Sequence, residues 1–297
     1  MIIEHGEEVN LDPIHNHIYY NNPPVIKNSR INFKGNNNIL FIEDDVRIYD
    51  SNISFCSDNA IVYLSKNTKH PYKIKVDAWR GTTVYYGHDN YFNGVFSAIV
   101  SERQNLIVGN EGVFSFGIWL RTADPHIIYD IDTSERVNLS KSILIGDHVW
   151  IGQNSLLLKG SIIGSGSIIA ANSVIAGKTI DSNSIWGGNP AKMLRSHVFF
   201  SDSSVHNYTA EETEKSLRLI DDTYVYHTYN QVSKENNKAL NQFFRRLSET
   251  NEAEKRLKVL EEFIKNNDKN RFAFSVESKS AKPSIMASVK SYMRSKA

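Results

Sequence analysis

The sequence predicts a mainly β protein, a parallel β-helix that carries an α-helical appendage at its C-terminal end. Three observations carry that expectation. Aliphatic residues recur every six positions at Ile145, Ile151, Leu157, Ile163, Ile169 and Ile175. Each is followed by a small or apolar residue (Gly146, Gly152, Leu158, Gly164, Ala170, Ala176) and, four steps beyond, by Val149, Ser155, Ser161, Ser167, Ser173 or Thr179. Beyond residue 208 the apolar spacing turns helical. A period of six fits neither the roughly 3.6 of a helix nor the two of an alternating strand, and a fixed longer repeat points to a solenoid.

Taken in order, residues 1–38 are polar, contain Pro23, Pro24 and many asparagines, and read as an irregular leader. Residues 39–195 form the β-helix. In its first part, to residue 106, Ile42 and Ile48 are only hints of the repeat, so this stretch reads as degenerate coils or a small β-cap. A short strand and a tight corner consume one hexad, so three hexads close a triangular coil of about eighteen residues. Ile145 should then stack on Ile163, Ile151 on Ile169 and Leu157 on Ile175. Glycine or alanine beside each leaves room where the coils approach closely. No proline stands between His126 and Asn189, as a ladder that needs every N–H requires.

Upstream, Ile107, Val113 and Trp119 are again six apart and read as inward residues, so the next should be residue 125. The register resumes only at Ile145, one hexad plus twenty residues later. Those twenty must leave the coil as a loop, at about 123–142, and long loops in compact domains are usually functional. The loop holds a single histidine, His126. Residues 186–192, Trp-Gly-Gly-Asn-Pro-Ala-Lys, close the solenoid. The appendage spans 208–270. Thr209 with Glu212 forms a capping-box pattern, and Leu240, Phe243, Phe244 and Leu247, then Leu257, Leu260 and Ile264, form an apolar stripe to be packed on this protein or an identical subunit. The last stretch, 275–297, has five cations against Glu277 and reads as a disordered basic tail, suited to weak contact with an anionic membrane surface.

With 297 residues, 40% hydrophobic content and a net charge of +1, the chain can build a core and shows no strong pull toward nucleic acid. One cysteine, Cys56, excludes an internal disulfide framework. The N-terminus lacks a basic start and an apolar run, and no stretch is long and apolar enough for a membrane span, so a cytoplasmic location is expected.

The run Ile-Gly-Asp-His-Val-Trp-Ile-Gly at 145–152, the Gly-Asn-Pro-Ala-Lys at 188–192 and a histidine 24 residues before Trp150 together resemble the hexapeptide-repeat O-acetyltransferases, over about 107–195. The stretch from Arg121 to Asn138 is most similar to the bacterial sialic acid and capsule O-acetyltransferases. The resemblance implies a left-handed helix, a homotrimer with active sites between neighbours, and transfer from acetyl-CoA to a hydroxyl of a cell-surface sugar, foremost sialic acid of a capsule or lipooligosaccharide. It also implies that His126 is the base, that the backbone at Gln153 faces the acetyl carbonyl, and that Trp150 walls the pocket. Coenzyme A would lie near Ala171, Ala176 and Gly177, with its phosphates and adenine at Lys192 and Arg195. Relatives often carry Thr-Lys where Ala176 and Gly177 stand, and Lys178 would substitute.

The residues give the chemistry a rationale of their own. A sugar hydroxyl is far too weak an acid to ionise unaided, so acyl transfer to it needs a base that titrates near neutrality, and histidine is the natural one. Negative charge grows on the carbonyl oxygen during attack, so an N–H donor must face it. No G-x-S-x-G elbow suggests a covalent enzyme intermediate. Arg121 and Arg136 could hold an acceptor carboxylate. No metal is expected. Two rival readings are a non-catalytic, sugar-binding solenoid and a γ-type carbonic anhydrase, which needs three histidines around zinc where 107–185 offers only His126 and His148. His148 itself reads as a solvent-facing corner residue.

Overall fold

Strands of two to six residues, each turning its alternate side chains toward a common axis, stack coil on coil in the computed structural model, which describes residues 2–3, 8–10, 15–226, 230–265 and 269–275. The strands line three faces. The first face is an eight-stranded parallel sheet that includes Arg30–Phe33, Asn52–Phe55, Ile74–Ala78, Phe96–Val100, Trp119–Arg121, Leu156–Leu158 and Val174–Ala176. The second, also eight-stranded and parallel, runs from His17–Tyr19 through Asn105–Val108 and Ile143–Ile145 to Thr179–Ile180. The third is carried by a three-stranded sheet above and a six-stranded sheet below, the latter containing Tyr91–Phe92, Val113–Phe114, Trp150–Ile151, Ile168–Ile169 and a closing antiparallel hairpin, Ser184–Gly188 with Ala191–Ser196.

The interior stack follows the sequence expectation. Ile145 pairs with Ile163, Ile151 with Ile169 and Leu157 with Ile175, and all six side chains are fully buried. The corner serines explain the other half of the repeat. Ser155, Ser161 and Ser167 each donate to the carbonyl three residues earlier and lie within reach of a carbonyl of the following coil. At Gly146 a Cβ would stand 2.6 Å from the backbone nitrogen of Ser165, so only glycine admits that close approach.

Above the loop the coil is longer. Ser51 and Ser29 occupy equivalent corners 22 residues apart, whereas Asp147 and Ser165 below are 18 apart. Residues 17–33, expected as an irregular leader, are strands of the same solenoid, and 39–106 are full coils rather than degenerate ones. A search at period six misses them because four extra residues per coil erase that period. A longer perimeter encloses a wider section, and close packing then demands larger side chains. Phe33 and Phe55 stack at 4.4 Å, and Tyr72, Tyr86, Phe92, Phe96 and Phe114 fill the coils beneath, where the 18-residue coils use isoleucine and leucine.

The upstream register is also offset by one from expectation. Leu106, Val108, Phe114 and Leu120 point inward, Ile107 faces outward beneath the appendage, and Trp119 is 37% exposed. A strand alternates faces, so a slip of one residue reverses every side chain.

Helices α1 (Ala210–Ser216), α2 (Asn230–Glu249) and α3 (Ala253–Lys265) follow the solenoid, and α1 starts on the expected Thr209–Glu212 capping box. Leu240, Phe243, Leu247, Leu257 and Leu260 pack on Ile39, Ile61, Tyr63, Tyr85, Ile107 and Leu144, so the apolar stripe is spent on the second face of its own chain. Two arginines fasten it. Arg256, buried on α3, donates to the carbonyls of Asn59 and Gly81, equivalent left-handed corners of successive coils, and burial draws its guanidinium down to about 10. Arg271 donates to buried Asp147 at 3.0 Å. The basic run 276–297 lies outside the described residues.

Leu157→Ala removes a side chain buried between stacked coils and should destabilise the protein by about 2–5 kcal/mol in chemical denaturation. Substituting exposed Leu194 in the same way should change stability by no more than about 0.5 kcal/mol.

Candidate active site

The loop leaves the coil after Arg121, at the edge between the first and second faces, and returns at Ile143. Its mouth is pinned where Lys141 N–H donates to Thr122 O at 3.0 Å. Inside it, Val137 N–H donates to Ile128 O, while the Asp130 carboxylate caps a turn by accepting from Asp132 and Thr133.

Asn138, buried at the base, organises the segment that carries His126. Its amide nitrogen donates to His126 O at 2.7 Å and to Asp124 at 3.1 Å, and its side-chain oxygen accepts from Ile128 N–H at 2.9 Å. Lys159, from the corner of the next coil, donates to the Asp124 carboxylate and to Asn138 O. A second brace joins Arg136 to Glu102, with one branch at 2.8 Å, and Ser140 donates to the same carboxylate. Those hydrogen bonds, from Arg136 first and Ser140 second, hold the Glu102 carboxyl down to about 2. The His126 backbone is thus fixed on both sides while its imidazole is exposed and makes no hydrogen bond to a described residue.

Trp150 sits elsewhere. It lies on the third face, 43% exposed and tilted against Phe200 at 5.8 Å, and it lines a groove of about 700 Å³ to which no residue of 122–142 contributes. One chain therefore does not bring His126 and Trp150 together. His148, expected in solvent, is 1% exposed and sandwiched between the rings of Phe200 (4.0 Å) and Tyr224 (3.5 Å). Its Nε2 meets Phe200 O at 3.0 Å, and burial pushes the imidazole below its ordinary value. The segments after the solenoid, out of sight of the repeat, cover this corner.

The residues expected at the coenzyme fall at both edges of the first face. Ala176, Gly177 and Lys178 end the strand Val174–Ala176 on the loop's edge, where a Cβ on Gly177 would stand 3.6 Å from Lys159 O. Lys178 donates to Ala191 O at 2.6 Å and lies over Trp186, so its ammonium is tied to the hairpin. Gln153 and Ala171 are exposed at the other edge, one coil apart, with Asn172 N–H donating to Gln153 O. Lys192 and Arg195 are exposed on the hairpin strand Ala191–Ser196.

Of the two arginines expected at the acceptor, Arg136 is committed to Glu102 and so serves the loop's architecture. Arg121 is half-buried and outward-facing, and its guanidinium makes no hydrogen bond or ion pair to a described residue. Sequence reasoning missed Glu102, Asn138 and Lys159. Each lies apart from any repeat position, and only the fold sets them against the loop. Among the described residues no three His, Cys, Asp or Glu side chains lie close enough to hold a metal ion, and no helix is long and apolar enough to cross a membrane.

Residues 142–177 match the family described as bacterial transferase hexapeptide (six repeats). The chain is similar to two polysialic acid O-acetyltransferases. It is 29% identical over 133 residues to the one from Neisseria meningitidis, covering 45% of this chain and 51% of the relative. It is 34% identical over 140 residues to the enzyme of the same name from Escherichia coli O1:K1 / APEC, covering 47% and 44%. The chain thus spans about half the length of the curated relatives it matches. The crystal structure of the polySia specific acetyltransferase NeuO superposes with a TM-score of 0.61 at 26% identity, over 71% of this chain and 98% of that one.

Glu102→Gln should loosen the loop, read as faster hydrogen exchange across 123–140. Because the folded carboxyl titrates near 2 against an ordinary 4.5, its bracing is complete above about pH 4.5 and is lost as the pH falls toward 2. Loop protection in the parent protein should fade over that window, and the variant's should not follow it.

Proposed function

We propose that this protein is an acetyl-CoA-dependent O-acetyltransferase that modifies a hydroxyl of a bacterial cell-surface sugar, with sialic acid as the acceptor. The observation that carries the reading is the placement of His126. A long loop in an otherwise regular solenoid is braced by Asn138, Lys159 and the Arg136–Glu102 pair, and all of that bracing presents one unencumbered imidazole at the edge where Ala176 and Gly177 lie.

The thioester supplies an activated acetyl group. His126 takes the proton of the acceptor hydroxyl as the oxygen attacks, and a backbone N–H at Gln153 faces the carbonyl oxygen as charge develops there. Lys192 and Arg195 offer cations to the coenzyme's phosphates, and the open left-handed corner at Gly177 lets an extended arm approach the backbone. Arg121, whose guanidinium has no hydrogen bond or ion pair to a described residue, is offered to the acceptor carboxylate. A donor made in the cytoplasm suits the cytoplasmic location expected from the sequence.

A homotrimer completes the site. Two faces are already engaged, the second by the helices and part of the third by the segments after the solenoid. No described segment covers the first, where Trp119, Leu156, Leu158 and Val174 face outward, and the loop beside it exposes Ile127, Ile128, Tyr129 and Ile131. Closed cyclic packing on that surface lets the loop of one subunit reach Trp150 of the next.

His126→Ala should lower turnover by about 10²- to 10⁴-fold while acetyl-CoA binding measured by calorimetry is unchanged. Near-normal turnover on a confirmed acceptor would remove His126 from its role. Lys192→Ala should raise the apparent KM for acetyl-CoA more than it lowers kcat. Light scattering should return the mass of three chains, and a stable active monomer would refute the shared site.

A further inference from the structure

The groove beside Trp150 is unassigned by the repeat and lies outside the loop. We infer that it holds the sugar units flanking the acetylated residue, and that those units are neutral, hydroxyl-rich sugars rather than further sialic acids. The inference rests on the proposed sugar O-acetyltransferase activity and refines its acceptor class.

Its floor is a column of the third face. Tyr91 pairs with Val113 and Val113 with Trp150, so the three side chains stand in register on successive coils. Tyr91 is 38% and Trp150 43% exposed, which leaves two aromatic surfaces with an apolar step between them. His70 meets Tyr91 edge-on at 4.6 Å and extends the platform by another coil. A pyranose ring has an apolar face of C–H groups and a rim of hydroxyls, which matches aromatic floors bordered by polar side chains.

The rim sets the charge. Asp89, Glu111 and Asp202 line it against Lys69 and the imidazoles of His70 and His206, with Asn93 and a run of serines, Ser201, Ser203 and Ser204, supplying neutral partners. The Glu111 and Asp202 carboxylates accept no hydrogen bond from a described residue, so their oxygens are free for sugar hydroxyls. His148 also lines the groove. A homopolymer of sialic acid brings one negative charge per unit and would lay them along three carboxylates. A neutral segment meets the same groups as hydrogen-bond acceptors, without repulsion. The volume, about 700 Å³, is that of an ordinary ligand cleft.

The test uses the full-length protein and two probes of equal length, one sialic acid on a neutral disaccharide and a trimer of sialic acid, with binding followed by calorimetry and transfer by labelled acetyl-CoA. The mixed trisaccharide should bind about tenfold more tightly. Tyr91→Ala should weaken it by about tenfold, the scale of one aromatic contact, while Tyr91→Phe keeps it. Glu111→Gln with Asp202→Asn should narrow the preference by admitting the sialic acid trimer. Equal or tighter binding of that trimer to the parent protein, or binding of either probe that is indifferent to Tyr91→Ala, overturns the inference, as does no binding of either. If the binding preference holds but acetyl reaches neither probe, the groove stands and the proposed activity falls. If both are acetylated with equal kcat/KM, the activity stands and the groove's selectivity falls.

Discussion

Each coil is hydrogen-bonded in register to the coil above and the coil below, and every other feature depends on that ladder. The backbone bonds run from Ile39 N–H to Ala60 O near the top and from Gly164 N–H to Ile180 O near the bottom. Side chains repeat the rule at the corners. His88 N–H is accepted by Asn110, Asn110 N–H by Asp147, and Asp147 N–H by Ser165, so three successive corners each close the N–H of the coil before. A coil cannot slip without breaking every bond on all three faces, and interior residues therefore stay stacked over like residues.

The ladder makes coil length a structural variable. The 22-residue coils carry a phenylalanine and tyrosine interior, the 18-residue coils an isoleucine and leucine one, and the coil that joins the two types holds the inserted loop. Asn110 and Asp147, equivalent corners of that coil and the next, are 37 positions apart. Placing the insertion at the change in section puts the bracing residues within reach. Glu102 comes from a corner above the loop and Lys159 from a corner below it, so the ion pairs that hold the loop span the junction.

The helices settle which surface is left for other work. By covering the second face they convert an exposed sheet into core, and Arg256 ties them to the corner carbonyls of Asn59 and Gly81. The cost of burying a guanidinium is offset where it donates to backbone oxygens that would otherwise be capped by water. The segments that follow the solenoid also bury His148 against Phe200 and Tyr224, and so build one wall of the groove.

The lower coils, the loop at 123–142, His126 within it and the apolar stripe of the appendage were all legible in the sequence, because a side chain that must meet its equivalent one coil later leaves a periodic trace. What lay outside that trace was decided by tertiary structure. The upper coils have a period of 22 and an interior of mixed aromatics, so the alternation that would reveal them is diluted and the register of Ile107 and Trp119 reads one residue out. Arg136 could be counted as a free cation near a loop until Glu102, 34 residues away, met it across a coil. Asn138, Lys159 and the column Tyr91–Val113–Trp150 become neighbours only through stacking. Local sequence determines how a coil turns and which side chains enter it, whereas contacts between coils depend on how many residues each turn consumes, a sum over the whole circuit that no short window contains.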